Sequence, residues 1–245
     1  FRWATWAAPK NDDGSPDDHH ALSGDDLTDF VNEKLFPYLK SFKERADNPD
    51  TIEYKIGEIF SELKNRLQSG YNLREVINLI DQLRFRTHTE KHEMSHLYES
   101  KIQNMGNAGR NGGEYYTPRA VTQLMTMMTD PKLGEKVLDP AAGTGGFLSA
   151  AIDHVRDTYV KTVDDEALLQ NSITGWELKP VAYVLGLTNL ILHEIDVPDY
   201  HYIDSLKKEY NSIGKKDQVD VILANPPFNI SDWGGDRLRT DIRWK

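Results

Sequence analysis

An α/β domain with a parallel sheet, preceded by an α-helical bundle domain, is the fold class this sequence predicts. Three observations carry it. From Lys136 onward, short apolar runs alternate with helical stretches, the pattern of strands joined by right-handed crossovers. Before that, over about a hundred residues, apolar positions recur at helical spacing and no strand pattern intervenes. Four polar residues, Asp139, Glu177, Asp204 and Asn225, each close a predicted strand, and ligands of parallel sheets collect at those carboxyl ends.

Composition sets the outer limits. The 245 residues are 38% hydrophobic and 28% charged, an ordinary balance for a globular chain of one or two domains. No apolar run approaches membrane-spanning length, no secretory signal opens the chain, and a cytoplasmic address is expected. With 0 cysteines there is no thiolate nucleophile, no disulfide and no Cys-based zinc site. The formal charge of −10 has the wrong sign for holding duplex DNA unaided, so any grip on nucleic acid needs local basic clusters or a partner. The chain begins at Phe1 and ends at Lys245, and both ends look cut.

Residues 1–22 are expected to be an exposed N-terminal segment, since 8–22 are rich in Pro, Asp, Asn and Gly. The helical domain is expected over 23–106. Ser23-Gly24-Asp25-Asp26 resembles a capping box, and Leu27, Phe30, Val31, Leu35, Tyr38 and Leu39 follow at helical spacing until Pro37 kinks or ends the helix near Phe36. A second helix from about Asp50 carries Ile52, Ile56, Ile59, Phe60, Leu63 and Leu67, with Gly70 placed to stop it. A third opens at Asn72 and turns Val76, Ile77, Ile80 and Leu83 inward. A fourth runs from Thr89 to Met105 with Met94, Leu97, Tyr98, Ile102 and Met105 inward. It contains His92-Glu93-Met94-Ser95-His96, a match to the zinc-hydrolase pattern H-E-x-x-H, but no third ligand follows at the required spacing, and a solvated helix face is the expected role.

The glycine-rich stretch Asn107–Gly113 reads as a linker, so the second domain is expected over 107–245. Thr117 and Pro118 begin a helix to about residue 130. Val137-Leu138 is a strand, followed by Asp139-Pro140-Ala141-Ala142-Gly143-Thr144-Gly145-Gly146-Phe147 and a helix to about Tyr159. Ile173–Trp176 is the next strand, Pro180–His193 a helix, Tyr200–Ile203 a third strand, and 219–224 a short buried fourth. The Gly143–Gly146 turn lets backbone approach a ligand at a helix N-terminus. Glu177 stands where ribose hydroxyls are bound, and Asp204 suits either an adenine amino group or the cap of Ser205-Leu206-Lys207.

The fourth strand delivers Asn225-Pro226-Pro227-Phe228 into a loop. Two prolines remove two N–H donors, so the loop offers carbonyls and one side-chain amide beside an aromatic ring. Such a loop accepts hydrogen bonds from an amino group and stacks a flat ring.

These motifs together resemble a known group. Asp139–Phe147 is similar to the S-adenosyl-L-methionine motif of amino-group DNA methyltransferases, with Ala142 where Cys or Thr is common. Asn225-Pro226-Pro227-Phe228 is similar to their catalytic motif in its adenine-N6 form. Gly113-Glu114-Tyr115-Tyr116-Thr117-Pro118-Arg119, ahead of the glycine motif, matches the gamma order. With the helical domain in front, the chain resembles the modification (M) subunit of type I restriction–modification systems. The resemblance implies a Rossmann-like methyltransferase domain, its sheet truncated after the fourth strand and the domain incomplete at its C-terminus. It implies a site-specific DNA adenine-N6 methyltransferase subunit that transfers the methyl group of S-adenosyl-L-methionine to an adenine flipped out of the duplex. Cofactor positions would be Tyr116, Thr117, Asp139, Ala141, Gly143, Gly145, Gly146, Glu177 and Asp204. Asn225, Pro226 and Phe228 would be catalytic, and Pro227 with Phe228 would contact the base. DNA, a specificity (S) subunit, a second M copy and a restriction (R) subunit are the implied partners. Other acceptors of the same motif, guanine N2 in RNA or a glutamine amide in protein, and a non-catalytic assembly module, are the competing readings.

Overall fold

The computed structural model of the chain describes residues 1–83, 87–108, 116–207 and 214–227, with only the backbone course given at 88, 89, 92 and 103–108. It divides into two compact units, Phe1–Glu90 and Lys91–Lys245. Among the described residues no helix is long and apolar enough to cross a membrane.

The first unit is helical. Its elements are α1 (Trp3–Trp6), α2 (Gly24–Asp29), α3 (Phe36–Lys40), α4 (Phe42–Arg45), α5 (Ile52–Glu62) and α6 (Gly70–Asp81), and a π-helical stretch, Phe30–Leu35, joins α2 to α3. Pro37 therefore does not stop the helix near Phe36. The i→i+5 stretch comes before it, and Pro37 falls in the first turn of α3, where its missing N–H costs little. Ser23 takes the extended N-cap conformation but makes no side-chain cap bond, so the expected capping box does not form. Residues 1–22 are not all exposed. Trp6 and Ala7 join Leu27, Val31, Leu73 and Ile77 in the core. Arg74 ties that segment down by donating to the carbonyls of Ala7 (2.6 Å) and Leu22 (3.2 Å), and Trp3 Nε1 donates to Asp81 (2.7 Å). Burying an indole recovers apolar area that a unit this small needs.

Gly70 opens α6 instead of closing α5, and Ser69 caps α6 by accepting from the Asn72 N–H. Packing explains the requirement for glycine: a Cβ at Gly70 would lie 1.7 Å from the carbonyl oxygen of Gly24. Backbone cannot yield as a side chain does. Gly70→Ala is expected to lower the stability of this unit by about 2–3 kcal/mol, read as a shift of the urea midpoint at unchanged slope. On α6 the inward positions are Leu73 and Ile77, while Val76, Ile80 and Leu83 are exposed. Leu63 and Leu67, expected on the buried face of the second helix, are also exposed, because α5 ends at Glu62.

In the second unit, α7 (His88–Ala108) continues through the start of the expected linker. It groups with this unit from Lys91 on, not with the first. Its inward positions carry Ser95, Glu99 and Ile102, and Leu97, expected inward, is exposed. Next come α8 (Arg119–Thr129), β1 (Val137–Asp139), α9 (Gly146–Tyr159), α10 (Val163–Gln170), β2 (Ile173–Glu177), α11 (Pro180–Leu192), β3 (Asp199–Tyr202) and β4 (Val221–Ile222). Helix α10 was not anticipated, although Thr162 and Asp165 form the capping box that announces it. The sheet has the order β3-β2-β1-β4, and every pairing is parallel. Helices α9 and α11 pack on it, α9 with Phe147, Leu148, Ala151, Ile152 and Val155 buried. Strand β4 is shorter than the expected 219–224 and is not fully buried: it lies at the sheet edge with Ile222 60% exposed, and burial returns only at Leu223.

Candidate active site

A parallel sheet places all four strand ends on one side, and β1 lies between β2 and β4. Asp139 ends β1 and Glu177 ends β2, Asp204 follows β3 by two residues, and Asn225 follows β4 by three. Above β1 lies an open cleft lined by Tyr116, Thr117, Asp139, Ala141, Ala142, Gly143, Thr144, Gly146, Phe147 and Asn225.

The floor of the cleft is the glycine turn. Gly143 and Gly145 both take positive φ, 57° and 78°, where a side chain is strained. A Cβ at Gly143 would meet nothing within 4 Å, as expected of a backbone atom that faces open space. Gly145 is the N-cap of α9, and the first turn of that helix, with N–H groups that have no intrahelical partner, begins at the cleft-lining Gly146.

Asp139 is 1% exposed. One carboxylate oxygen accepts from the Ala141 N–H (3.0 Å). Burial pushes its pKa up to about 7; the Ala141 bond opposes that rise and the nearby Glu177 charge adds to it. A carboxyl in that state gains most from a cationic ligand.

One wall holds a contact across 108 positions of sequence: Asn225 Nδ2 donates to the Thr117 hydroxyl at 3.1 Å. Thr117 does not cap α8. Pro118 takes the N-cap position without a side-chain cap bond, which leaves the threonine hydroxyl for Asn225. With its amino end so engaged, the amide presents its oxygen as the acceptor. Burial, then the Glu99 charge, push the Tyr116 phenol up, so it stays a hydrogen-bond donor.

Of the expected cofactor positions, Gly145, Glu177 and Asp204 are not among the cleft-lining residues. Glu177 accepts from the Gly143 N–H (2.7 Å) and the Lys179 N–H (2.6 Å), so it holds the glycine turn from the side. Asp204 accepts from the Leu206 N–H (3.1 Å) and pairs with Lys207 (3.4 Å), making the cap of a 3₁₀ turn, Ser205–Lys207. Pro226 is exposed and Pro227 half-buried. Phe228, and the Gly113, Glu114 and Tyr115 of the upstream motif, lie outside the described residues. The side chain of His92 does too. His96 is exposed, and among the described residues no group of three or more His, Asp or Glu could hold a metal ion.

Sequence reasoning missed the group that fixes the wall from behind. Arg119, the residue after Pro118, pairs with Glu99 of α7 and Asp153 of α9 (3.4 Å) and donates to Ser149 (3.0 Å). The buried His193 donates to Asp153 through Nδ1 (2.9 Å), and its Nε2 stands 3.4 Å from Glu99, within charge attraction but without hydrogen-bond alignment. Burial opposes ionisation of Glu99, but His193, Arg119 and Ser149 outweigh it and the pKa falls. Burial likewise opposes protonation of His193, and the two acids outweigh it and raise it. Polar positions scattered over α7, α8 and α9 and at the C-cap of α11 gave no sequence signal, because only the fold brings them together.

A cleft floored by bare backbone at the end of β1, with the Asn225 amide on its wall, is the arrangement of the α/β class in which ligands are seated at the carboxyl ends of parallel strands. Comparison with known proteins narrows that class. The N-6 DNA Methylase family matches residues 89–245. The methylase subunit of the type I restriction enzyme EcoEI from Escherichia coli is 42% identical over 237 residues, covering 96% of this chain and 46% of that relative. A solved modification subunit, attributed to a type I restriction enzyme of Vibrio vulnificus, is 39% identical with a TM-score of 0.76, covering 93% of this chain and 47% of the other. A chain from a solved type I R-M system is 33% identical with a TM-score of 0.77, covering 94% and 44%. The chain belongs to the N-6 DNA methylase family. It spans a little under half the length of these relatives.

Proposed function

We propose that this chain carries the cofactor cleft and acceptor loop of a site-specific DNA adenine-N6 methyltransferase, the modification subunit of a type I restriction–modification system, working in the cytoplasm. The observation that carries the reading is the Asn225–Thr117 contact in the wall of the cleft that Asp139 and Gly143 floor. Family membership supports the same reaction.

The residues present fit S-adenosyl-L-methionine. Gly143 leaves room for backbone approach, and the buried Asp139 suits a ligand bearing an ammonium and a sulfonium. When bound, the cofactor supplies an already activated methyl group. What the chain must do is orient the acceptor and make its nitrogen more nucleophilic. The adenine N6 lone pair is delocalised into the ring. The Asn225 side-chain oxygen and the Pro226 carbonyl accept the two N–H groups, favour pyramidal nitrogen, and stabilise the positive charge that develops there. The proton that the methylated nitrogen then sheds passes to water. No covalent enzyme intermediate is required, in keeping with 0 cysteines. Phe228 and Pro227 stack against the flipped base. DNA recognition by an acidic chain falls to a specificity subunit, with a second modification copy and a restriction subunit completing the assembly.

The test is transfer of labelled methyl from S-adenosyl-L-methionine to DNA, RNA and protein by the enzyme assembled with its specificity subunit. Label in DNA alone supports the reading, and label in RNA or protein overturns it.

Asp139 gives cofactor binding a pH dependence. Its carboxyl is protonated below about pH 7 in the free protein, and a cationic ligand favours the ionised form. Affinity is expected to rise as pH increases through 7, with a proton released on binding below it. Calorimetry in buffers of different ionisation enthalpy reads that proton, and Asp139→Asn abolishes the dependence.

A further inference from the structure

Gly143 is gripped at both ends. Its N–H donates to Glu177 at 2.7 Å, and its carbonyl accepts from the hydroxyl of Tyr200 at 2.8 Å. Tyr200 lies on β3, is fully buried, and stacks on Tyr183 of α11 with ring centroids 5.5 Å apart. To reach the turn its ring must cross β2 and pass along α11, and both crossings are made at glycines. A Cβ on Gly175, its partner across β2, would lie 2.4 Å from the Tyr200 ring. A Cβ on Gly186, inside α11, would lie 2.4 Å from the Tyr200 hydroxyl and 3.0 Å from the Gly143 carbonyl. Glycine weakens both a strand interior and a helix interior. Two unfavourable glycines along one tyrosine's path mark the phenol's position as what the fold preserves.

We propose that Tyr200 is a positioning residue for the cofactor cleft: its hydroxyl fixes the Gly143 carbonyl, and with Glu177 sets the backbone that faces the bound ligand. A left-handed glycine anchored only at its N–H can still rotate its following peptide plane. Anchoring the carbonyl as well removes that freedom before the ligand arrives, which improves affinity without touching the chemistry. This inference rests on the cofactor reading above.

The test is Tyr200→Phe in the assembled enzyme, which removes one oxygen and keeps the stacked ring. Loss of one buried hydrogen bond to the turn is expected to raise the dissociation constant and KM for S-adenosyl-L-methionine about tenfold, with kcat within twofold. A merely structural loss would reduce the active fraction, and so kcat, and leave KM alone. Gly186→Ala, which drives the phenol off Gly143, is expected to raise KM in the same way, and by less when added to Tyr200→Phe. Unchanged cofactor affinity in Tyr200→Phe, beside a wild type that binds, overturns the proposal. A wild type that does not bind overturns the cofactor reading instead.

Discussion

Asn225→Ala is expected to reduce methyl transfer by about 10²–10³-fold in kcat, the usual cost of removing one pre-positioned electrostatic partner of a developing charge. Cofactor affinity should stay within a few fold, since Asn225 sits on the wall and the floor is made of Asp139 and the glycine turn. The fold should persist, because the side chain is only half-buried and its bond to Thr117 joins two loop residues. Thr117→Val tests the same geometry from the other side. The amide loses the partner that turns its oxygen outward, so kcat should fall by less than in Asn225→Ala. Single-turnover kinetics with saturating cofactor separate these effects from product release.

The second large effect is on stability. Glu99→Ala should cost the second unit about 2–3 kcal/mol, because it removes one of the two carboxylates that Arg119 and the buried His193 share and leaves them only Asp153. Glu99→Gln should cost less, since the amide still accepts a hydrogen bond. The pH dependence follows from the two shifts. Glu99 is lowered from an ordinary 4.5, so its contribution is present above pH 4.5 and is lost as pH falls through its lower folded value. His193 is raised from an ordinary 6.5, so its contribution is complete below pH 6.5 and is lost as pH rises through its higher folded value. The network therefore stabilises most between about pH 4.5 and 6.5, and Glu99→Ala should remove its share of the fall below that window and reduce the fall above it in urea titrations. Because Arg119 directly follows the Thr117-Pro118 corner, loosening it should also weaken the hold on Asn225.

The parts of this molecule that were legible in its sequence are those whose signal is local. The alternation after Lys136 reports strands and helices because burial on a sheet enforces it. The glycine turn is readable because positive φ at Gly143 and Gly145 requires glycine. Gly70 shows the opposite case: a glycine after an apolar run looks like a helix stop, yet it was selected by a backbone contact with Gly24 from a distant helix. Trp6 looked like part of a loose tail because its partners, Leu27, Val31, Leu73 and Ile77, lie on helices not adjacent to it in sequence. Pro37 suggests a kink or an end because a π-helical stretch has no sequence signature as strong as the proline itself. Tyr200 and His193 were invisible for the same reason. A strand tyrosine and a helix-end histidine are ordinary until the fold places one under Gly143 and the other between Asp153 and Glu99.

The most direct test of the account is the identity of the methylated nucleoside. DNA treated with the assembled enzyme and isotopically labelled S-adenosyl-L-methionine would be digested and resolved by mass spectrometry. Label in N6-methyl-2′-deoxyadenosine, absent with Asn225→Ala, is the predicted result. Label in a methylated cytosine, or label in adenine that survives Asn225→Ala, would contradict the assignment of this loop as the acceptor site for adenine N6.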